Sequence, residues 1–526
     1  MSSQCRVTIA HPDPADGLRP QEANFASRLV HAAQRFVATS GEGSIVAWAL
    51  GGFVVVWMLY DTVSLLTVDV RWDASEASLW AQHFAFGYKH PPMTAWLFAL
   101  WFAVFPRADW AAHLLAVTMA AITLAVSWRL LRDHLDKDRA LFGLAALFLV
   151  PLYTFKAAEL DANTAMMPFW PAALLFYLRA RRGLGVCDAL LAGAFAGLTM
   201  LAKYWAIYLF AGMAVASLVG PGTRRFWRSP APYLMAAGAA IVIAPHVYWY
   251  ISTAGGSSYA FVRDNVLNHD SFATALARSV RYLLGTIAYA AGPLVLLAAL
   301  RPNWAALADV AWPAGEERRQ AMILFAVPLV LPALANLAMP HRLTAAWTYP
   351  NWALLPVVLY GSRKIVIDAA AAGAAGFVAL AMGFLALVAS PVVAYQKLKA
   401  GPDSNRPDAH QVAEAAERLA AGAPVRFFWG STSLTGGLPF YLPQARPLDA
   451  DPLSADGRAA IKAAGLLIVC FDNDAPCLKT DTALAGGAGG AGAEHRSADL
   501  TIRHSLLGLS GPPAKVHITV VSAPAQ

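Results

Sequence analysis

Charge is the scarcest property of this 526-residue chain: only 14% of its residues are Asp, Glu, Lys or Arg, against about 25% in a typical soluble domain. Hydrophobic residues make up 58% of the chain. This balance excludes an ordinary soluble protein, whose surface needs charged groups to face water. The net charge of +7 does not indicate a nucleic-acid partner, because the basic residues lie in short clusters between apolar runs.

Cysteine is scarce, and the sequence shows neither a zinc-binding cysteine pattern nor a signal peptide. The four cysteines, Cys5, Cys187, Cys470 and Cys477, form no CxxC pair, which argues against a structural zinc site. Cys470 and Cys477 close the short loop CFDNDAPC, for which a disulfide and two free thiols both remain open. A secretory signal peptide is not expected, because the first apolar run begins near Ser44, after a long polar segment.

Apolar segments are abundant. About eleven of them have roughly the length that crosses a bilayer, at 44–66, 110–131, 140–156, 164–179, 186–202, 204–220, 231–251, 281–300, 321–339, 345–361 and 365–395. The run 91–105, after Pro91-Pro92, fits either a span or a re-entrant or interfacial helix. The sequence therefore predicts an all-α polytopic membrane bundle, with residues 44–396 as the transmembrane domain.

Basic residues alternate between successive loops. With a cytoplasmic N-terminus, every second span leads into a basic cluster: Arg129/Arg132/Lys137/Arg139, Arg179/Arg181/Arg182, Arg224/Arg225/Arg228, Arg301/Arg318/Arg319 and Arg363/Lys364. The other loops carry scattered basic residues, so the positive-inside rule predicts that the C-terminal tail lies outside the cytoplasm. This topology, with the short N-terminus and high alanine content, favours a bacterial inner (plasma) membrane with a periplasmic tail.

The two ends of the chain are more polar than its middle. In the N-terminal segment 1–43, Phe25, Leu29 and Phe36 share a helical face beside basic residues, which predicts an interfacial helix on the cytoplasmic leaflet. The tail, 397–526, predicts a small α/β domain from one helical and three strand patterns, at 408–420, 424–430, 466–471 and 515–521. The glycine-rich run 486–494 is expected to be a loop rather than a phosphate-binding turn.

The first outer loop, 70–97, is the richest in reactive groups. Asp73 and Glu76 lie three residues apart and therefore on one helical face. Lys89 and His90 immediately precede the proline pair. Carboxylates followed by a cation suit a site that deprotonates a hydroxyl beside a bound phosphate. An interfacial helix with solvated charges is the alternative.

The next two outer turns add charges where water is limited. Glu159 and Asp161 lie between two spans, followed by Asn163 and Thr164, which are candidate caps of the next helix. Lys203 interrupts an apolar stretch. It fits either snorkelling to the interface or binding of a lipid phosphate.

Two further outer loops carry isolated cations. Arg263 and His269 lie in a polar, Gly/Ser-rich loop, and His341 and Arg342 lie between two later spans. Arg342 fits a phosphate clamp or an interface anchor beside Trp347. We expect the chemistry of the protein at this non-cytoplasmic face, since ionisable residues near membrane depth are costly and usually functional.

At these residues the sequence resembles a known family. Asp73, the AQH that follows and GYKHPPMTAWL (87–97) resemble the first outer loop of polytopic, lipid-dependent GT-C glycosyltransferases of the protein O-mannosyltransferase and lipid A aminoarabinose or galacturonic acid transferase type. Three other stretches also resemble that family: LDANTAMMPFWPAALLFYLRA (160–180), GLTMLAKYWAIYLFAG (197–212) and HRLTAAWTYPNWALLPVVL (341–359). The resemblance covers roughly residues 44–361, and the tail is not part of it.

Two positions depart from the family pattern. Ala74 stands where the family commonly has a second acidic residue, with Glu76 nearby. His90 stands where many members have lysine before the proline pair, so the resemblance implies that Lys89 takes that role.

The resemblance implies a reaction and residue roles. A sugar moves from a polyprenyl-phosphate donor to an acceptor, with inversion of the anomeric centre. Asp73 is the expected general base, with Glu76 in reserve. The remaining expected site residues are a donor-phosphate set and an acceptor- or metal-binding set: Lys89, His90, Lys203, Arg263 and Arg342, then Glu159, Asp161, Asn163 and His341. A divalent metal ion is left open, and no other cofactor is expected.

The sequence leaves the acceptor and two other classes of protein open. A lipid A-type glycolipid, a polysaccharide and a secreted protein all fit as acceptor. The alternatives to an enzyme are a transporter or flippase of a lipid-linked sugar and an inactive scaffold. A transporter is disfavoured, because we detect no internal repeat and the charges lie in outer loops rather than mid-span.

Overall fold

The computed structural model describes residues 39–253, 270–401, 408–485 and 494–523, with single positions between 28 and 36 and between 260 and 267. Phe25, Leu29, His269 and the glycine-rich residues 486–493 lie outside the described residues. The described positions from Arg28 to Phe36 are helical, as the prediction of an N-terminal helix requires.

The membrane domain is built almost entirely from helices. In chain order they are α1 (Glu42–Ser64), α2 (Trp72–Ala81), α3 (Met93–Phe102), α4 (Asp109–Arg132), α5 (Lys137–Phe148), α6 (Ala162–Met166), α7 (Phe169–Gly183), α8 (Val186–Ala202), α9 (Ile207–Leu218), α10 (Thr223–Arg228), α11 (Ala231–Ser252), α12 (Phe272–Tyr289), α13 (Ala291–Ala299), α14 (Trp304–Ala311), α15 (Glu316–Ala338), α16 (Leu355–Tyr360) and α17 (Ala369–Ala400). Three 3₁₀ segments accompany them: Pro151–Tyr153, Tyr204–Ala206 and Ala345–Leu354.

Five of the described helices, α1, α4, α11, α15 and α17, are long and apolar enough to cross a membrane. The bent pair α12–α13, with an angle of 53° between its halves, gives a sixth crossing if it is one span. Helix α3, in the ambiguous run 91–105, has only 10 residues, too few to span a bilayer core that needs about 20. The count of about eleven spans stays a prediction.

Several runs that were expected to be single spans are divided in the structure. The run 164–179 is split between α6 and α7 beside Pro168, and the run 345–361 begins as a 3₁₀ segment that contains Pro350. In the run 140–156 the α-helix, α5, ends at Phe148, shortly before Pro151. Proline removes a backbone donor and clashes with the preceding turn. Sequence hydropathy registers the apolar composition of these runs but not the breaks.

The tail folds as the predicted α/β domain. Its elements are α18 (Ala409–Ala420), β1 (Phe427–Gly430), α19 (Thr432–Thr435), α20 (Leu438–Tyr441), β2 (Arg446–Pro447), α21 (Ala455–Ala464), β3 (Leu466–Phe471), α22 (Ala475–Ala483), β4 (His495–Ile502), β5 (Ser505–Leu506), β6 (Leu509–Ser510) and β7 (Ala514–Val521). The helical pattern and all three strand patterns are confirmed, with α18, β1, β3 and β7. The predicted domain boundary at 396/397 falls inside α17, which continues to Ala400.

One mixed five-stranded sheet forms the core of this domain, in the order β2-β1-β3-β7-β4. Strands β1, β2 and β3 are parallel, and β7 runs antiparallel between β3 and β4. The central β3 reads LLIVCF and is almost fully buried, as expected for a strand covered on both faces. Cys470 at its end forms a disulfide with Cys477 at the start of α22.

The α/β domain is attached to the membrane domain through α2. The buried hydroxyl of Ser75 donates to the carbonyl of Gly437 at 2.7 Å and accepts from the amide of Phe440 at 3.2 Å. One turn later, the Ser78 hydroxyl donates to the carbonyl of Pro439 at 3.1 Å. Both serines therefore satisfy backbone groups around α20, which fixes the orientation of α2 beneath the tail domain.

A second set of contacts joins the domains at the start of the first outer loop and at the start of α4. The carboxylate of Asp69 accepts from the backbone amide of His410 at 2.7 Å. The hydroxyl of Tyr441 donates to Asp109 at 3.0 Å and accepts from the amide of Val70 at 3.1 Å. These partly buried polar contacts join segments more than 300 residues apart in the chain.

Candidate active site at the outer loops

Helix α2 presents the two carboxylates of the first outer loop on one face. Asp73 contacts Arg71 at 3.5 Å, and its side chain is 44% exposed. The side chain of Glu76 is only 15% exposed, and its carboxylate pairs with Lys89 at 2.7 Å. The two acids therefore differ: Asp73 remains accessible, whereas Glu76 is occupied in holding a lysine.

The turn before Pro91 holds Lys89 in place. The ring of Tyr88 is buried and stacks on Trp80 of α2, with 5.1 Å between ring centroids. The amide of Tyr88 donates to the carbonyl of His90 at 3.0 Å, so the backbone turns tightly around Lys89. Gly87 is required here, because a Cβ at this position would overlap the ring of Trp249.

The second outer turn supplies the other half of the cluster. Asp161 is the N-cap of α6 and accepts from the amides of Asn163 at 2.8 Å and Thr164 at 3.0 Å. The expectation that Asn163 or Thr164 caps this helix is therefore wrong by two or three residues. Asn163 instead donates its side-chain NH₂ to Asp161 at 2.9 Å and accepts from Lys203 Nζ at 2.7 Å.

Lys203 occupies a break in the membrane helices. It follows α8 directly and adopts an extended backbone conformation before the 3₁₀ turn Tyr204–Ala206. Its ammonium group lies 4.4 Å from the ring centroid of Trp347 and bonds to Asn163. A cation over the face of tryptophan is stabilised by the ring quadrupole. Both partners are side chains of the protein itself, Asn163 buried and Trp347 half-buried, which favours the binding role over snorkelling to the interface.

Glu159 ties the first and second outer loops together. Its carboxylate pairs with Arg71 at 2.7 Å and with Lys156 at 3.1 Å. The hydroxyl of Tyr349 donates to the carbonyl of Lys156 at 2.6 Å, so the late segment 345–354 closes on the same turn. Four segments that are distant in sequence therefore meet at one end of the membrane domain.

Electrostatics show that these groups act on one another. Burial lowers the pKa of Lys203 to about 8, with Arg342 acting in the same direction and Asp161 and Asp73 opposing it. Burial and the charges of Lys89 and Lys203 lower the pKa of His90 to about 3. His90 is therefore uncharged near neutral pH and can offer an N–H but no positive charge.

The pKa values of two carboxylates are raised rather than lowered. Burial raises the pKa of Glu76, and the Lys89 ammonium partly offsets this effect. Burial also raises the pKa of Asp161, and the nearby charge of Asp73 adds to it. The arrangement is a mixed cluster in which buried acids and bases depend on one another for their charge.

Two of the expected site residues have other surroundings. Arg263 is exposed and pairs with its neighbour Asp264 at 2.6 Å. His341 is buried beneath the cluster, where its amide donates to Asn336 at 3.0 Å and its ring nitrogen Nδ1 contacts the carbonyl of Met339 at 2.9 Å. Neither has a described contact with the carboxylates of the first and second outer loops.

Sequence reasoning overlooked two participants. Arg71 pairs with Asp73 and Glu159, and it lies only two residues before Asp73 in the sequence. Trp347 entered the sequence analysis only as the neighbour of Arg342, although its ring covers the Lys203 ammonium. The position of Arg71 was a usable signal, whereas nothing local in the sequence pairs Trp347 with Lys203.

The acidic residues do not form a metal-binding set in the part of the chain that the structure describes. Within those residues, no three His, Cys, Asp or Glu side chains come together in a way that could hold an ion. Glu159 is bound to two cations, and Asp161 caps a helix. We therefore assign no step to a metal.

Comparison with known proteins shows which family the chain resembles. Residues 89–249 match the family model described as dolichyl-phosphate-mannose-protein mannosyltransferase. The matched segment begins at Lys89 and includes Asp161, Asn163 and Lys203. Together with the relatives below, this match confirms the resemblance to polyprenyl-phosphate-sugar-dependent glycosyltransferases of the GT-C fold.

Individual relatives are similar to different extents. The chain is 24% identical over 290 residues to lipid A galacturonosyltransferase RgtD from Rhizobium johnstonii, covering 54% of this chain and 58% of that protein. Two crystal structures of ArnT from Cupriavidus metallidurans, one apo and one bound to undecaprenyl phosphate, are 15% identical and match 91% of this chain and 98% of theirs. Their TM-scores are 0.59 and 0.58, respectively, so the fold is shared.

The contact between Asn163 and Lys203 predicts a measurable energetic coupling. Replacing Asn163 by Leu removes the acceptor of a buried ammonium group, and Lys203→Met removes that ammonium group itself. Because the second change relieves the first, we expect the double variant to lose about 1–3 kcal/mol less stability than the sum of the two singles. Reversible unfolding in mixed micelles measures this cycle.

The matched control pairs Asn163→Leu with Lys137→Met, a lysine at the opposite end of the membrane domain. That pair is expected to be additive. Additive behaviour of the Asn163–Lys203 pair as well would contradict the described geometry.

Proposed function

We propose that the protein is a membrane glycosyltransferase that moves a sugar from a polyprenyl-phosphate donor to a lipid A-type glycolipid on the periplasmic face, with inversion. The observation that carries this proposal is the meeting of Asp73, Lys89 and Lys203 at one end of a fold shared with a protein crystallised with undecaprenyl phosphate. The glycolipid is favoured over polysaccharide and protein acceptors, because the curated relative RgtD is a lipid A galacturonosyltransferase.

Lys203 is the proposed anchor for the donor phosphate. An ammonium group has three donors, of which Asn163 accepts one at 2.7 Å. A phosphate oxygen would accept another and would also satisfy the positive charge. Arg342 acts on Lys203 electrostatically, and its guanidinium can bind the same phosphate through two parallel bonds.

Lys89 and His90 complete the proposed phosphate site. Lys89 is held by Glu76, and a phosphate would compete with that carboxylate for the ammonium group. Neutral His90 donates an N–H to the phosphate rather than a charge, as its lowered pKa implies. Positive groups aimed at the leaving phosphate stabilise the charge that grows on it in the transition state. Arg263 stays a weaker candidate, since it is exposed and paired with Asp264.

Asp73 is the proposed general base. The acceptor hydroxyl oxygen forms a bond to the anomeric carbon while the bond from that carbon to the phosphate oxygen breaks. The hydroxyl proton passes to Asp73, and polyprenyl phosphate leaves with the electron pair of the broken bond. Asp73 suits this role better than Glu76, because its side chain is more exposed and its nearest cation, Arg71, is 3.5 Å away.

The second outer turn is proposed to orient rather than react. Asp161 fixes Asn163, which in turn fixes Lys203, and Glu159 fixes Arg71 beside Asp73. This places the two carboxylates behind the donor and acceptor groups. His341 supports the same end through backbone contacts, and we give it no contact with substrate.

The proposed location is a bacterial inner membrane with a cytoplasmic N-terminus and a periplasmic tail. Support comes from the basic clusters of alternate loops. The disulfide between Cys470 and Cys477 adds to it, because disulfides persist in oxidising compartments such as the periplasm. The reacting groups and the α/β domain would then share the periplasmic side.

Removing the base tests the activity and identifies the acceptor. In cells that express Asp73→Asn at normal level, we expect sugar transfer to fall by about 100- to 10,000-fold, the usual contribution of a positioned base. Mass spectrometry of total glycolipids and envelope polysaccharides should show one sugar modification disappear. Asp138→Asn, a carboxylate at the opposite face, is the matched control and should leave the profile unchanged. An unaltered glycolipid profile in Asp73→Asn would overturn the proposed base.

The lowered pKa of Lys203 predicts a pH dependence of donor binding. Below about pH 8 the free protein carries a charged Lys203 and binds phosphate; above it, the proton must be taken up on binding. The dissociation constant for undecaprenyl phosphate should therefore rise up to about tenfold per pH unit between the free and bound pKa values of Lys203. Titrations from pH 7.5 to 9.5 keep the ligand fully ionised, since the second pKa of a phosphate is about 6.

The control for this titration is Lys203→Arg, which stays charged throughout the range. Its affinity for the ligand, although changed in size by the different shape, should be flat between pH 7.5 and 9.5. A flat profile in the natural protein, or the same slope in Lys203→Arg, would remove Lys203 from the phosphate site.

A further inference from the structure

An apolar cavity of about 830 Å³ lies between α1, α5 and α17. On α1 its wall runs from Ile45 to Trp57, and on α17 it runs from Ala372 to Phe384, which is the first half of that helix. The candidate active site follows the far end of α1. The cavity therefore belongs to the opposite half of the membrane domain and is separate from the proposed reaction.

The wall of this cavity carries only apolar side chains and glycines. Its volume is within the range of about 300–1,000 Å³ that is usual for ligand pockets. Trp48, Leu380 and Phe384 on its rim are 74%, 66% and 63% exposed, so the cavity opens sideways on the surface that faces lipid in a membrane. Gly52 and Gly376 widen it, since a Cβ at either position would meet nothing within 4 Å.

A second, polar cavity of about 760 Å³ adjoins it at the start of α17. Arg28, His31, Gln34 and Arg35 line this space together with the first residues of α17. No carboxylate is among the described residues that line it, and two of the lining residues, Arg28 and Arg35, are basic.

The N-terminal helical residues connect the two cavities. Ala32 and Phe36 line the apolar cavity, whereas Arg28, His31 and Arg35 line the polar one. These residues are docked on α17, because the side chain of Gln34 donates to the carbonyl of Ala370 at 3.3 Å. One short stretch therefore places cationic groups directly over the mouth of an apolar space.

We propose that the two cavities together bind one anionic diacyl phospholipid. The phosphate lies among Arg28, His31 and Arg35, and the acyl chains occupy the apolar cavity. Charge complementarity supports an anionic headgroup, since juxtamembrane basic residues attract anionic lipids. The sideways opening supports an occupant that arrives from the bilayer rather than from water.

The lipid ties the N-terminal helix to both the first and the last long helices of the membrane domain. Acyl chains in the apolar cavity would contact α1, α5 and α17 together, and each of these contacts adds dispersion energy. The bound phospholipid is thus expected to be a structural part of the protein.

Native mass spectrometry of the full-length, delipidated protein tests this site. The probes are dioleoyl phosphatidylglycerol, dioleoyl phosphatidylcholine and undecaprenyl phosphate. We expect one tightly bound phosphatidylglycerol per chain, with phosphatidylcholine bound much more weakly. The double change Arg28→Ala with Arg35→Ala should weaken phosphatidylglycerol binding by about 10- to 30-fold, given the usual contribution of each basic residue beside anionic lipid.

A matched pair of glycine variants tests the apolar half. Gly52→Leu places a side chain in the cavity and should abolish binding of phosphatidylglycerol; its Cβ would meet nothing within 4 Å. Gly51→Leu is the control, because Gly51 is equally open but does not line the cavity.

Three results would overturn the proposal. They are equal retention by Gly52→Leu and Gly51→Leu, equal binding of the charged and zwitterionic phospholipids, and displacement of phosphatidylglycerol by an equal concentration of undecaprenyl phosphate. The last would assign the cavity to an isoprenoid chain instead. None of them bears on Asp73 or the sugar-transfer reaction, whose failure would be seen separately in the glycolipid profile.

Discussion

A buried ammonium group, that of Lys203, is the constraint around which the candidate site is built. Desolvating a charge is expensive unless the charge is paired and hydrogen-bonded. Here the cost is offset by Asn163, which accepts at 2.7 Å, and by the ring of Trp347 at 4.4 Å. Asn163 can serve only because Asp161 fixes its amide. One cation is therefore linked to three side chains from two separate segments of the chain, Asp161 and Asn163 in one turn and Trp347 in another.

The same cation lies at the break between α8 and the 3₁₀ turn Tyr204–Ala206. The α8 helix ends at Ala202, and the extended conformation of Lys203 directs its side chain to α6 rather than along the helix surface. Burial of Lys203 lowers its own pKa, and burial of His90, together with the charges of Lys89 and Lys203, lowers the pKa of His90. The donor phosphate proposed above would add a negative charge beside this ammonium group.

The tail domain contributes to the site indirectly. It binds α2 through hydrogen bonds to Ser75 and Ser78. These bonds set the positions of Asp73 and Glu76, which lie on the same short helix. An isolated helix of 10 residues would be marginal in water. Docking against α20 stabilises it, and this gives the α/β domain a function in positioning the proposed base.

Hydropathy and local motifs predicted much of this structure, and the features that they did not predict have physical reasons. Apolar runs predicted the membrane domain, and alternating patterns found α18, β1, β3 and β7, because those signals depend on local composition. Strand β4 was overlooked: HRSADLTI lacks a strong apolar alternation and is held in the sheet by pairing with β7.

In the candidate site, too, local features could be predicted from the sequence and tertiary contacts could not. Asp73, Lys89 and Lys203 were accessible to sequence reasoning through their spacing and their isolation in apolar surroundings. The pairing of Glu76 with Lys89, the cap formed by Asp161 and the cover provided by Trp347 are tertiary facts. Local sequence does not encode which loops meet, so these roles needed the fold.

The most direct test of the central claim is an experimental structure of the natural protein with undecaprenyl phosphate bound. The account predicts phosphate oxygens about 3 Å from the ammonium of Lys203 and also near Lys89, as charge-assisted hydrogen bonds require. The carboxylate of Asp73 should face the open side of the site, where an acceptor would enter. A phosphate bound away from Lys203, with the Lys203–Asn163 contact undisturbed, would contradict the account.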